Sequence, residues 1–78
     1  MPRYFFHLHN DLDVRDEEGR DLPDIETAHS VAEDDARTMA AESVRMGHLT
    51  LAHFVEVTGQ EGRPLFRVTF GEVVEIRE

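Results

Sequence analysis

His7 and His9 stand two residues apart in the run Arg3-Tyr4-Phe5-Phe6-His7-Leu8-His9. On a strand that spacing projects both imidazoles from one face, where with Asp11 or Asp13 they could hold Zn²⁺ or another divalent ion. A zinc centre asks for three or four ligands, and His53 supplies one only if its strand lies beside the first. The competing reading has both histidines lining the less buried sheet face, packed against Phe5 and a neighbouring strand.

Other patterns fall short of chemistry. A calcium loop starting at Asp11 would need an acid or amide at Arg15, a glycine at Asp16 and a glutamate at Leu22, and all three fail. His29 and Glu33 are i,i+4 neighbours on an exposed helix face, next to Asp34 and Asp35. No serine–histidine–acid set, phosphate-binding glycine loop or H-E-x-x-H motif accompanies them. Gly59-x-x-Gly62 precedes no helix and reads as a hairpin turn. The chain is therefore read as non-enzymatic, with no cofactor.

The elements that position these residues follow from periodicity. Residues 3–9 are expected to form an aromatic strand with Tyr4, Phe6 and Leu8 facing the core, and Val14 to anchor a brief second strand that pairs back on it. Pro23-Asp24 opens a helix from Ile25 to Met46, with Asp24 as N-cap, Glu26 in the first turn and Gly47 as the C′ residue. Ile25, Ala28, Ala32, Ala36, Met39 and Ser43, flanked by Val31, Ala40 and Val44, make a thin buried stripe, opposite Glu33, Asp34, Arg37 and Glu42. At ~1.5 Å per residue such a helix is roughly 33 Å long, enough to overhang a small sheet. Beyond Leu49 the period becomes two. Phe54–Thr58 is a strand, Gly59–Gly62 a turn with both glycines at positive φ, and Leu65–Phe70 the return strand, before Val73–Ile76 as a last strand or extended tail.

These elements predict a single α+β domain over residues 1–78. It is a two-layer fold, a three- to four-stranded mainly antiparallel sheet with one long helix on one face, in β(β)αββ(β) order. Six aromatics (Tyr4, Phe5, Phe6, Phe54, Phe66 and Phe70) exceed what one helix covers, so the second face is expected to be partly apolar and to favour a homodimer. Free sheet edges offer another route.

Charge is the other strong signal. The net charge is −9, and residues 11–35 hold eleven of the seventeen acids against Arg15 and Arg20 alone. Such a field repels phosphate backbones, so nucleic acid is not the expected partner unless Arg63, Arg67 and Arg77 form a basic dimer surface. Asp11, Asp13, Asp16, Glu17 and Glu18 are the candidate contacts for a protein with a basic surface. The absence of cysteine rules out disulfides and thiolate metal sites. No apolar run reaches the ~18 residues of a membrane span, Met1-Pro2 reads as a native N-terminus, and a cytoplasmic protein is expected.

The segments MPRYFFHLHND, DEEGRDLPDIETA, VEVTGQEGRPLFRVTF and VVEI together resemble the DUF6894 family of small, mainly alphaproteobacterial proteins. The most specific parts are the PRYFFHL start and Glu17, Glu18, Gly19, Leu22, Pro23 and Asp24. The resemblance spans essentially the whole chain and implies no catalytic residues. A weaker likeness, of architecture only, links the aromatic strand, acidic turn and alanine-rich helix to HicB-type antitoxins. The reading that results is an interaction or regulatory module acting through protein contacts. Its alternative is a metal- or ligand-binding protein using His7 and His9.

Overall fold

The computed structural model describes all residues, 1–78. Strand β1 (Arg3–His9) is followed by two-residue strands β2 (Asp13–Val14) and β3 (Arg20–Asp21), then helix α1 (Ile25–Arg45). Strand β4 (Phe54–Thr58), a 3₁₀ turn (Gln60–Gly62), strand β5 (Pro64–Thr69) and a single-turn helix α2 (Phe70–Val73) complete the chain. The sheet is antiparallel in the order β2-β1-β4-β5, and β3 also pairs with β1. The fold is α+β, with five strands once the two short ones are counted.

Alternation decides the faces. Pairing Phe6 with Val57 and Leu8 with Val55, then Val57 with Phe66 and Val55 with Val68, puts one apolar row under α1. Ala28, Ala32, Ala36, Ala40 and Ser43 are the buried helix residues, so the small side chains let the helix lie close on that row. Ile25 and Val44, expected in the stripe, are exposed near the two ends of α1. The helix, about 31 Å long, exceeds the longest strand at about 23 Å.

The caps are local and explicit. The Asp24 carboxylate accepts the Thr27 N–H at 2.8 Å, satisfying one of the free donors of the first turn. At the other end Gly47 takes φ 99°, while its N–H reaches Val44 O at 2.9 Å and the His48 N–H reaches Ser43 O at 3.1 Å. That pair of bonds is the Schellman closure, which needs a left-handed residue at C′.

Two expectations are corrected at the C-terminal end. In the hairpin turn it is Glu61 (φ 62°) with Gly62 (φ 75°) that is left-handed, while Gly59 is extended at φ −92°. Residues 70–73 do not continue a strand. Thr69 caps them in a reciprocal box with Glu72, and the Phe70 N–H turns to His53 O at 2.8 Å. The pull is hydrophobic: Phe70, fully buried, drops into the space between helix and sheet. Residues 74–78 then carry no regular structure. No helix is long and apolar enough to cross a membrane.

Candidate functional site

The sheet face away from α1 presents Phe5, His7 and His9 opposite Thr58, Glu56 and Phe54, with Arg67 and Thr69 on the next strand. Chain alternation thus brings both histidines to one face, as their spacing requires. Their surroundings differ sharply. His7 is buried, its Nδ1 accepting the Asp16 N–H at 3.0 Å and its Nε2 lying 3.0 Å from Thr58 Oγ1. The network therefore assigns the proton to Nε2, which donates to the threonine. Both ring nitrogens are spent within the protein.

His9 is more open. Its Nδ1 lies 3.0 Å from Asp13 Oδ1, and its Nε2, buried and without a hydrogen bond, sits 3.5 Å from Glu56 Oε1. The ring stacks on Phe54 at 4.7 Å between centroids, and the Arg67 guanidinium lies 4.9 Å from the centre of the same phenyl ring. The second face is therefore a mixture of aromatic and charged groups rather than an apolar plate. β4 does neighbour β1, yet His53 turns its Nε2 toward Asp11 at 3.7 Å, as His48 does from the other side of the loop, also at 3.7 Å. No three of the histidine, aspartate and glutamate side chains converge in an arrangement that could hold a metal ion.

The five acids of the turn separate into two groups. Asp16 faces inward: Oδ1 accepts the N–H groups of Glu18 and Gly19, each at 3.1 Å, and Oδ2 accepts the Phe6 N–H at 3.1 Å. Burial works to raise its carboxyl, but the three N–H donors of Gly19, Phe6 and Glu18, helped by His7, outweigh it and hold the group below the usual carboxylate range. Asp16 is thus the anchor of the loop, a role its Asp-x-x-Gly setting signals locally. Asp11, Asp13, Glu17 and Glu18 are exposed. Asp11 and Asp13 meet only histidines, and neither Glu17 nor Glu18 has a cation at ion-pair distance.

At the far end of the loop Arg3 grips Asp21 through two bonds, of 2.9 and 3.1 Å, and donates a third to Glu18 O at 2.9 Å. Gly19 closes the loop against β1 at φ 73°, where an added Cβ would lie 2.9 Å from both Arg3 Cγ and Phe5 Cε2. Arg20 leaves the acidic segment altogether. It crosses to α1, bonds Asp35 at 3.2 Å and lies 4.9 Å from the centre of the Phe6 ring. This contact spans fifteen positions and leaves no trace in local spacing. Among the other arginines, Arg77 is paired with Glu75, whereas Arg63 and Arg67 have no carboxylate at ion-pair distance. His29 and Glu33 stand 3.5 Å apart, as the i,i+4 spacing expects.

What the arrangement can do is bounded by this geometry. It offers a hydrogen-bonded acidic loop, a histidine whose nitrogens are occupied, and a shallow polar cleft of about 280 Å³ beside Phe5, His7, Arg15 and Thr58. No curated protein and no solved structure matches the chain, and the likeness to HicB-type antitoxins is not shown. The model of a domain of unknown function, DUF6894, matches residues 3–71, from the start of β1 into α2, and on that match the chain belongs to the DUF6894 family.

Proposed function

We propose that this chain is a non-catalytic interaction module of the cytoplasm that acts through protein contacts, its acidic loop meeting a partner with a basic surface. The observation that carries this reading is the division of labour within the loop. Asp16 and His7 fix its path, so that Glu17 and Glu18 stand exposed, without cations, on a backbone that loses little further entropy on binding. Uncompensated charges on such a loop favour fast, salt-sensitive association.

The test is isolation of the untagged protein from its native cells, followed by identification of what accompanies it. A partner with a basic surface should be retained at low salt, released as salt rises, and weakened by the triple variant Asp13→Asn/Glu17→Gln/Glu18→Gln. Stoichiometric small molecule or robust turnover in the purified protein would overturn the reading. Self-association belongs to the same proposal, because β5 has no strand on its outer side. Sedimentation at increasing concentration should then show a dimer.

The second reading, ligand or metal binding using His7 and His9, draws its support from the cleft beside His7 and the unpartnered Nε2 of His9, since both His7 nitrogens are bonded within the protein. Metal and ligand analysis of tagless protein, compared with a His9→Ala variant that leaves the His7 anchor in place, decides it. Absence of metal and ligand, with partners retained in the variant, removes that reading.

A further inference from the structure

Between the β1–β2 hairpin and α1 runs a groove of about 380 Å³ with Phe6, Leu8, Val14, Met39 and Val55 among its walls. A second hollow of about 230 Å³ continues it along the helix, shares Met39, and adds Leu12 and Met46. Leu12 (73 % exposed), Val14 (53 %) and Met46 (73 %) are left in solvent around it. Apolar groups gathered on one groove, with two flexible methionines among them, are the composition of a docking surface rather than of scattered exposure.

The rim states the partner's charge. Asp11 and Glu42 border the second hollow beside His48, and Asp35 borders the first, paired there with Arg20. The Glu42 pair with Arg45 and the Asp11 contacts with His48 and His53 are exposed and long, 3.7 to 3.9 Å, so that a partner's cation can compete for these acids. Glu18 lines the adjoining hollow with Asp16 and Arg15. The structure also holds an example of the cation this groove takes. The Arg20 guanidinium rests over Phe6 and bonds Asp35, so one aromatic floor and one acid already accommodate a basic side chain of the chain itself.

Backbone pairing leaves no free edge on β1 here, and the outer edges on this side are those of β2 and β3, two residues each and too short to carry an added strand. Along its outer edge β1 is taken up by β3 at Arg3 and Tyr4 and by β2 at Leu8 and His9, and between them the Phe6 N–H is held by Asp16. A partner must therefore enter by side chains. We propose that this groove docks a cationic amphipathic helix of a partner protein, its apolar face on Leu12, Val14, Met39 and Met46 and its basic face against the acidic rim. The inference rests on the interaction-module reading and says which surface and which partner chemistry that reading uses.

The probe is a synthetic peptide of about 18 residues, five helical turns, with leucine at i, i+3, i+4 and i+7 and arginine elsewhere. One reference peptide rearranges the same residues so that the leucines share no face, and another carries glutamate for arginine. The patterned cationic peptide is expected to bind the full chain at least about tenfold more tightly than either reference. Amide shifts should centre on Leu12, Val14, Met39 and Met46. Val14→Asp and Met46→Asp, both at exposed positions, should each weaken it several-fold although they add negative charge, with circular dichroism unchanged. Equal binding of the rearranged peptide, shifts confined to β5, or no binding overturns the proposal. Groove shifts produced by raising the protein concentration alone would assign the groove to a second copy and overturn it too. A native partner retained by the Val14→Asp/Met46→Asp variant removes the groove while leaving the interaction reading intact. Turnover in the purified protein, with peptide binding preserved, removes that reading and leaves the groove.

Discussion

The backbone N–H of Asp16 donates to Nδ1 of His7 at 3.0 Å, so a buried side chain of the open sheet face fixes the start of the acidic loop. The same ring reaches Thr58 on β4 with its other nitrogen. His7 therefore couples loop, first strand and central strand through one imidazole. Its worth is structural, because replacing it leaves two polar groups without partners.

His7→Ala should accordingly cost about 2–4 kcal/mol, from the lost packing and the stranded Asp16 N–H and Thr58 hydroxyl. Urea denaturation followed by circular dichroism measures it. A loss below about 0.5 kcal/mol would show that water replaces the ring readily and that His7 is free for another task.

Asp16 and Asp35 should bend the pH dependence in opposite directions. The Asp16 carboxyl is held low in the folded state, so its contribution is complete above the unfolded value of about 4 and is lost as pH falls through the lower folded one. Burial pushes the Asp35 carboxyl up despite Arg20, so this group costs stability as pH rises through the window above about 4. Asp16→Asn should be less stable than the parent at pH 7, with the gap narrowing as pH falls below about 4. Asp35→Asn should be at least as stable as the parent at pH 7. Urea midpoints across pH 3 to 7 report both, and a clear loss in Asp35→Asn would mean that its bond to Arg20 outweighs the burial of the carboxyl.

Gly19→Ala should cost roughly 2–4 kcal/mol, combining left-handed strain with a close approach to the Tyr4 carbonyl, 3.0 Å from the added Cβ. Thermal melts give the loss. A Gly62→Ala variant is the reference, since its φ is also positive but nothing lies within 4 Å of the added atom. It should lose only about 1 kcal/mol. Equal losses would locate the whole effect in backbone strain.

Thr69→Val should remove the capping box at α2 and cost about 1 kcal/mol, since the hydroxyl accepts the Glu72 N–H at 3.2 Å. Hydrogen exchange at Phe70 and Gly71, whose N–H groups bond His53 O and Leu51 O, should speed up in step. Unchanged exchange would show that burial of Phe70 holds the turn without its cap.

Local rules made much of this molecule legible from residue order. Asp24, the alanines of 28 to 40 and Gly47 specify α1, because caps and a 3.6-residue stripe act within a few positions of each residue. Alternation over residues 3–9 and 54–58 determined the sheet faces, placed His7 and His9 together and sent Tyr4, Phe6 and Leu8 to the core side. Tertiary packing decided the rest. Phe70 reads as the end of a strand, and only the space under α1 turns it into a helical residue. Asp16 looks like one of five surface acids until β1 brings the Phe6 N–H and the His7 ring to it. Arg20 belongs by order to the acidic block, yet its guanidinium is fixed by Phe6 and Asp35, which are distant in the chain. Hydrogen bonds and ion pairs between distant segments depend on the register of β1 against β2, β3 and β4, and no local periodicity records that register.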